Sequence, residues 1–197
     1  MKIFLMTSPV DFAGEQEFIE QMFEKFPFML QVRKPGYTDS KMEKFLLSLA
    51  PEVRESAILH GNPEMAKSFS MAGFCEKAPF FEKNNVVFDL KNYAFCESIA
   101  QLEQLPKEIS GAFLYPIFDS LTEPAIKSVF SDGVKLPELA FNVFACGGVS
   151  EDEFKELLQN GFSGASLLLF YCVCDRIIQR VSSRLLLLYL QTGQYNY

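Results

Sequence analysis

Three stretches of this chain hold residue types that can bind an anion. Gln31-Val32-Arg33-Lys34-Pro35-Gly36 closes an apolar run. If that run is a strand, alternation sends Gln31 and Arg33 to the same side. A guanidinium beside an amide makes a clamp for an oxyanion or phosphate, because guanidinium binds phosphate bidentately; a solvated basic strand end is the evenly weighted alternative. Ala145-Cys146-Gly147-Gly148-Val149-Ser150 sets two glycines ahead of a capped helix, where backbone N–H groups and the helix N-terminus can converge on phosphate. Without a barrel position behind it, the same pair is an ordinary tight turn. The loop from Pro116 to Pro124 offers Ser120 and Thr122 as hydroxyl donors, Thr122 equally as a helix N-cap. His60, the single histidine, reads as a general base or ligand facing a pocket, or as a hydrogen-bonded loop residue.

Such groups need a scaffold that brings them to one place. Short apolar runs of strand length alternate with amphipathic stretches of helical length along the chain, which predicts an α/β fold with parallel strands covered by helices. Strands are expected at Lys2 to Met6, Phe28 to Val32, Ala57 to Leu59 and Gly73 to Cys75, then at Ala112 to Tyr115, Val143 to Cys146 and Ala165 to Leu169. A fifth strand falls at Val86 to Leu90 or at Tyr93 to Cys96, the second lying directly before a capping box of Ser98 with Gln101. Helices are expected from Glu15 to Phe26, with Phe18, Ile19, Met22 and Phe23 on one stripe, and from Pro63 to Met71. Further capping boxes, Ser40 with Glu43 and Ser150 with Glu153, mark the second and seventh helices. From Asp175 to Leu190 one apolar face would close the structure. Eight βα pairs make a (βα)8 TIM barrel, a single domain over residues 1–197 with an atypical closing segment at 170–197. In that fold the reacting groups sit at strand C-termini, and phosphate after strands seven and eight.

Composition narrows the partners. The chain has 197 residues, 49% of them hydrophobic, and a net charge of −7; the acidic balance excludes the basic footprint a nucleic-acid binder needs. The first apolar run is too short for a signal-peptide core, and the stretch Ala165 to Cys174 is too short to span a bilayer. Five cysteines without a CxxC spacing read as reduced core thiols rather than a disulfide frame or zinc site. The expectation is a cytoplasmic barrel, with no nucleic-acid or membrane partner, acting on small phosphate or diphosphate molecules.

The order of these stretches resembles the thiamine-phosphate synthase/TenI family. Gln31-Val32-Arg33 resembles its Q-x-R-x-K diphosphate motif, Pro116 to Pro124 its G-P-x-F-x-T-x-T-K-P loop, and Cys146-Gly147-Gly148-Val149 its I-G-G-I turn. Gly161-Phe162-Ser163-Gly164-Ala165 resembles the G-A-D-G-V entry to the last strand, so the likeness covers roughly residues 1 to 168. The resemblance implies a transferase of thiamine biosynthesis that joins hydroxymethylpyrimidine diphosphate to thiazole phosphate and releases pyrophosphate with the help of Mg²⁺. Gln31, Arg33 and Lys34 would hold the diphosphate, with His60 beside them. Ser120 and Thr122 would contact phosphate or pyrophosphate, and Gly147-Gly148 would give backbone donors to the thiazole phosphate. Family members range from monomers to larger assemblies, so a homo-oligomer is compatible.

The departures point the other way. The family's lysine after strand two aligns with Pro35, which leaves Lys34 to substitute. Its metal-contacting Asn-Asp pair is replaced by His60-Gly61, and its second metal Asp falls in Glu76-Lys77-Ala78-Pro79, so no metal ligand set is assigned. Glu123 stands where a phosphate-holding lysine is expected, and Leu169-Phe170 where a small residue is. Thiazole tautomerases of the family use a histidine after strand five, and Glu97 holds that place here. A catalytically degenerate barrel that binds a thiamine precursor or a partner, or a tautomerase relative, is therefore the competing expectation.

Overall fold

The computed structural model describes residues 1–81, 89–120, 124–128, 130 and 133–169. Eight strands, β1 (Lys2–Met6), β2 (Met29–Val32), β3 (Ile58–His60), β4 (Gly73–Lys77), β5 (Lys91–Cys96), β6 (Gly111–Leu114), β7 (Val143–Cys146) and β8 (Gly164–Leu168), pair in chain order into a closed barrel. Every pairing is parallel, and β8 closes on β1 with Met6 opposite Leu168. The architecture is the expected (βα)8 barrel. Of the two sites for the fifth strand, Tyr93–Cys96 is the one inside β5.

Strand alternation divides the residues into two cores. Phe4, Tyr93, Phe113 and Phe144 fill the barrel interior, with Phe4 set 4.9 Å from Phe113 and 4.7 Å from Phe144 between ring centroids. Such tilted and edge contacts each add roughly 0.5–1.5 kcal/mol beyond area burial. Two strand-entry glycines leave the room these rings need: a Cβ at Gly111 would come within 2.7 Å of the Phe144 ring, and one at Gly164 within 3.0 Å of it. The opposite parity, including Leu5, Leu30, Val32, Leu59 and Leu114, faces the helices.

Those helices are α1 (Glu15–Lys25), α2 (Asp39–Ser48), α3 (Pro51–Ser56), α4 (Pro63–Ser68), α5 (Ala78–Phe81), α6 (Ile99–Glu103) and α7 (Phe154–Gln159). α1 buries Ile19 and Met22 of its expected stripe, while Phe18 and Phe23 pack at its margin. The cap of α2 differs from expectation: Thr38, not Ser40, is the N-cap, and its side chain accepts from the Lys41 N–H at 3.3 Å. α6 begins at Ser98 as expected. The expected helix between β6 and β7 is absent among the described residues. In its place, 133–142 runs irregularly and lays Val134, Leu136, Leu139 and Phe141 against the core. The expected closing helix and Phe170 lie outside the described residues. Among the described residues no helix is long and apolar enough to cross a membrane. Cys75, Cys96 and Cys146 are buried free thiols.

Candidate functional site

The C-terminal ends of the strands surround a cavity of about 370 Å³, and side chains from β1 through β7 wall it. The strand ends that hold Arg33, His60, Lys77 and Glu97 follow one another around the rim. Inward parity places these residues: Met29, Gln31 and Arg33 alternate along and just beyond β2, as Gly73, Cys75 and Lys77 do along β4. Phe95 and Tyr115, at 5.2 Å between centroids, form an aromatic wall.

Arg33 extends the β2 ladder by one residue, its backbone N–H donating to the Thr7 hydroxyl (2.9 Å) and that hydroxyl donating to the Arg33 carbonyl (3.0 Å). Its backbone is thus pinned while its side chain is exposed to the cavity, with no ion-pair partner among the described residues. Gln31 is fully buried below it. Gln31 Oε1 lies 2.9 Å from His60 Nε2, and Gln31 Nε2 has no hydrogen-bond partner among the described residues. With Oε1 accepting, His60 carries its proton on Nε2. Burial, and then the Arg33 charge, lower the His60 pKa to about 3. At neutral pH this ring is uncharged and a weak base, suited to hydrogen bonding rather than to proton abstraction.

Lys34 is placed differently from its neighbour. Its side chain is fully buried, with Nζ 2.5 Å from Glu15 Oε2 and 3.5 Å from Asp11 Oδ1, over the rings of Tyr37 and Phe45. Burial raises the Glu15 pKa, opposed by the bond from Lys34. Asp11 also binds the Tyr37 hydroxyl and the Lys41 ammonium, and these bonds lower its pKa to about 2. Lys34 therefore ties the loop after β1 to the loop after β2, and its charge is matched before any phosphate arrives.

The turn after β7 is formed by Gly147 (φ 84°) and Gly148 (φ 67°). Both glycines are required by close packing: a Cβ at Gly147 would stand 2.6 Å from the Tyr115 ring, and one at Gly148 2.7 Å from the Phe118 carbonyl carbon. The loop after β6 lies on this turn, Ile117 N–H donating to the Cys146 carbonyl (3.0 Å) and Phe118 N–H to the Gly147 carbonyl (3.1 Å). The expected capping box is present, with Glu153 accepting from the Ser150 N–H (2.8 Å) and hydroxyl (2.7 Å), ahead of a short 3-10 turn. A carboxylate thus takes up the two Ser150 donors beside the glycine turn. Cys146 walls the cavity; Gly147 and Gly148 do not. In the neighbouring loop Ser120 N–H donates to the Ile126 carbonyl (2.9 Å), and Asp119 pairs with Lys127 at 2.8 Å. Thr122 and Glu123 lie outside the described residues.

The structure thus brings Arg33, Gln31 and His60 together; Lys34 borders the same cavity but commits its ammonium to Glu15, and the glycine turn does not line it. The sequence reading missed Lys77 because it ended β4 at Cys75. Two more residues of strand carry the parity to Lys77, and its signal was the late break at Ala78-Pro79. Glu15 was missed as the partner of Lys34 because nothing local marks a pair separated by nineteen positions.

The Mg²⁺ implied by the resemblance finds no donor set here. Among the described residues no three His, Cys, Asp or Glu side chains gather to hold a cation. Glu76 and Glu97 are the carboxylates at the cavity, and Arg33 and Lys77 stand with them.

No protein-family model matches the chain, and no curated protein matches it in sequence. Solved structures do match it in shape. Thiamine phosphate pyrophosphorylase from Pyrococcus furiosus superposes with a TM-score of 0.69 at 14% identity, covering 94% of this chain and 96% of that one. Thiamine phosphate pyrophosphorylase from Bacteroides thetaiotaomicron superposes at 0.64 and 22% identity, covering 85% and 83%. A native KDPGal structure gives 0.51 at 12% identity, covering 85% and 82%. At these identities the likeness establishes architecture rather than chemistry: the chain has the barrel fold of the two thiamine phosphate pyrophosphorylases.

Proposed function

We propose that the chain is a thiamine-phosphate synthase-like transferase, cytoplasmic, whose mouth cavity takes hydroxymethylpyrimidine diphosphate and thiazole phosphate. One observation carries the reading: Arg33, at the strand end where the family resemblance expects a diphosphate ligand, faces the mouth cavity with no ion-pair partner among the described residues. The reaction breaks the bond between the pyrimidine methylene and the diphosphate oxygen, and pyrophosphate leaves with the electron pair. The thiazole nitrogen lone pair then forms the new carbon–nitrogen bond. Arg33 stabilises the charge that grows on the leaving oxygens, a task for preorganised donors in a site shielded from water. His60, held by buried Gln31, lines the cavity as a neutral hydrogen-bonding group, and Phe95 with Tyr115 offers an aromatic wall to a heterocycle.

A second reading, a barrel that binds such a precursor without turnover, is favoured by the buried pairing of Lys34 with Glu15. That pairing withdraws one of the two cations the resemblance assigned to the diphosphate. The test is incubation with both substrates while thiamine phosphate and released pyrophosphate are quantified. The transferase reading expects equal amounts of both products, lost in Arg33→Ala. Substrate binding with neither product supports the second reading and overturns the first.

A further inference from the structure

Cations from two strand ends reach the cavity rim. Arg33, His60 and Lys77 belong to three consecutive strand ends, β2, β3 and β4, while Glu97 follows β5. Neighbouring strands lie about 4.8 Å apart, so the backbones of β2 and β4 are roughly 10 Å apart at the rim. Two long cationic side chains reaching from that separation can meet on one diphosphate. Lys77 is exposed, lines the cavity, and its ammonium has no ion-pair partner among the described residues. Between the two cations His60 adds no charge of its own. Glu97, beyond them, repels an anion from the β5 side, whereas Glu76, on β4 with its carboxylate near Gly61 at the β3 end, lies within the same arc and makes both cations necessary for an anion to be held there.

We infer that Lys77 and Arg33 together form a metal-independent site for a diphosphate or phosphate ester, the ammonium neutralising charge where no donor set for a divalent cation is gathered. This rests on the reading of the mouth as the phosphate site and adds to it the residue and the independence from metal. Lysine suits the task as a compact, mobile point charge, while arginine supplies the bidentate fork. A charged hydrogen bond of this kind contributes enough that losing it costs about tenfold in affinity.

The test is isothermal titration of the full chain with inorganic pyrophosphate, in EDTA and again in Mg²⁺. Wild type, Lys77→Ala, Lys77→Arg and Arg33→Ala are compared, with urea unfolding to confirm that the exposed Lys77 variants fold alike. The inference expects binding that persists in EDTA, falls about tenfold in Lys77→Ala and is largely kept in Lys77→Arg. Binding that requires Mg²⁺, or Lys77→Ala with unchanged affinity, overturns it while the loss in Arg33→Ala leaves the mouth reading standing. If wild type binds pyrophosphate in neither buffer, or Arg33→Ala binds as wild type does, the reading of the mouth falls together with the inference.

Discussion

The β2 and β7 edges of the barrel mouth carry the two motifs that most resemble a phosphate site, and the protein uses them in different ways. At β2 the strand continues in register beyond its last pair, so Arg33 projects with its backbone fixed by Thr7 and its charge unpaired among the described residues. At β7 the two glycines answer to the loop lying on them, and Glu153 fills the donors of the following turn. A cationic strand end and a glycine turn are both anion sites in principle. What separates them here is access: Arg33 lines the cavity, and the glycine pair does not.

The contrast can be broken at four points. On the β2 side, the depressed His60 pKa makes folding pH-dependent. Below 6.5 the unfolded chain takes up a proton that the folded chain refuses until about pH 3, so stability present above pH 6.5 is lost as pH falls through that window. The loss is at most about 5 kcal/mol, and urea unfolding of His60→Gln from pH 7 to pH 4 is expected to show a flatter dependence than wild type. Lys34→Ala leaves Glu15 buried without its counter-charge, and is expected to cost about 3–5 kcal/mol by denaturant unfolding at pH 7. If Lys34 instead served a ligand, pyrophosphate affinity would fall and stability would hold.

On the β7 side, Gly148→Ala forces a Cβ against the loop after β6 in a left-handed conformation. It is expected to lose roughly 2–4 kcal/mol in the same measurement. Glu153→Gln weakens the capping box by about 1 kcal/mol and frees the turn of its negative charge. Titration with thiazole phosphate is then expected to show equal or tighter binding than wild type; weaker binding would mean that Glu153 holds the turn open for the ligand.

Strand ends and glycines were legible in the sequence because each depends on its immediate neighbours. Alternation alone places Gln31 and Arg33 on one side, and Ser98 followed by Gln101 marks the start of α6. Long-range pairing was not legible. Lys34 and Arg33 differ by one position, look alike in sequence and both border the cavity, yet only Lys34 has its ammonium paired with Glu15 on α1. Thr38 prevails over Ser40 as the α2 cap because the chain is still extended at Thr38, with ψ 160°, and already helical one residue later. Ser150 and Glu153 pair as expected, ahead of the 3-10 turn that leads into α7, and the pairing places a carboxylate beside the glycine turn, a charge that the Gly-Gly pattern by itself does not reveal.

The central claim is that Arg33 at the β2 end is the anchor of a diphosphate in the barrel mouth. Its most direct test is isothermal titration of wild type and Arg33→Ala with hydroxymethylpyrimidine diphosphate, with circular dichroism to confirm equal folding. The account predicts saturable one-site binding for wild type and a loss of about tenfold or more in Arg33→Ala. Equal affinities for the two proteins, or no binding by wild type, would contradict it.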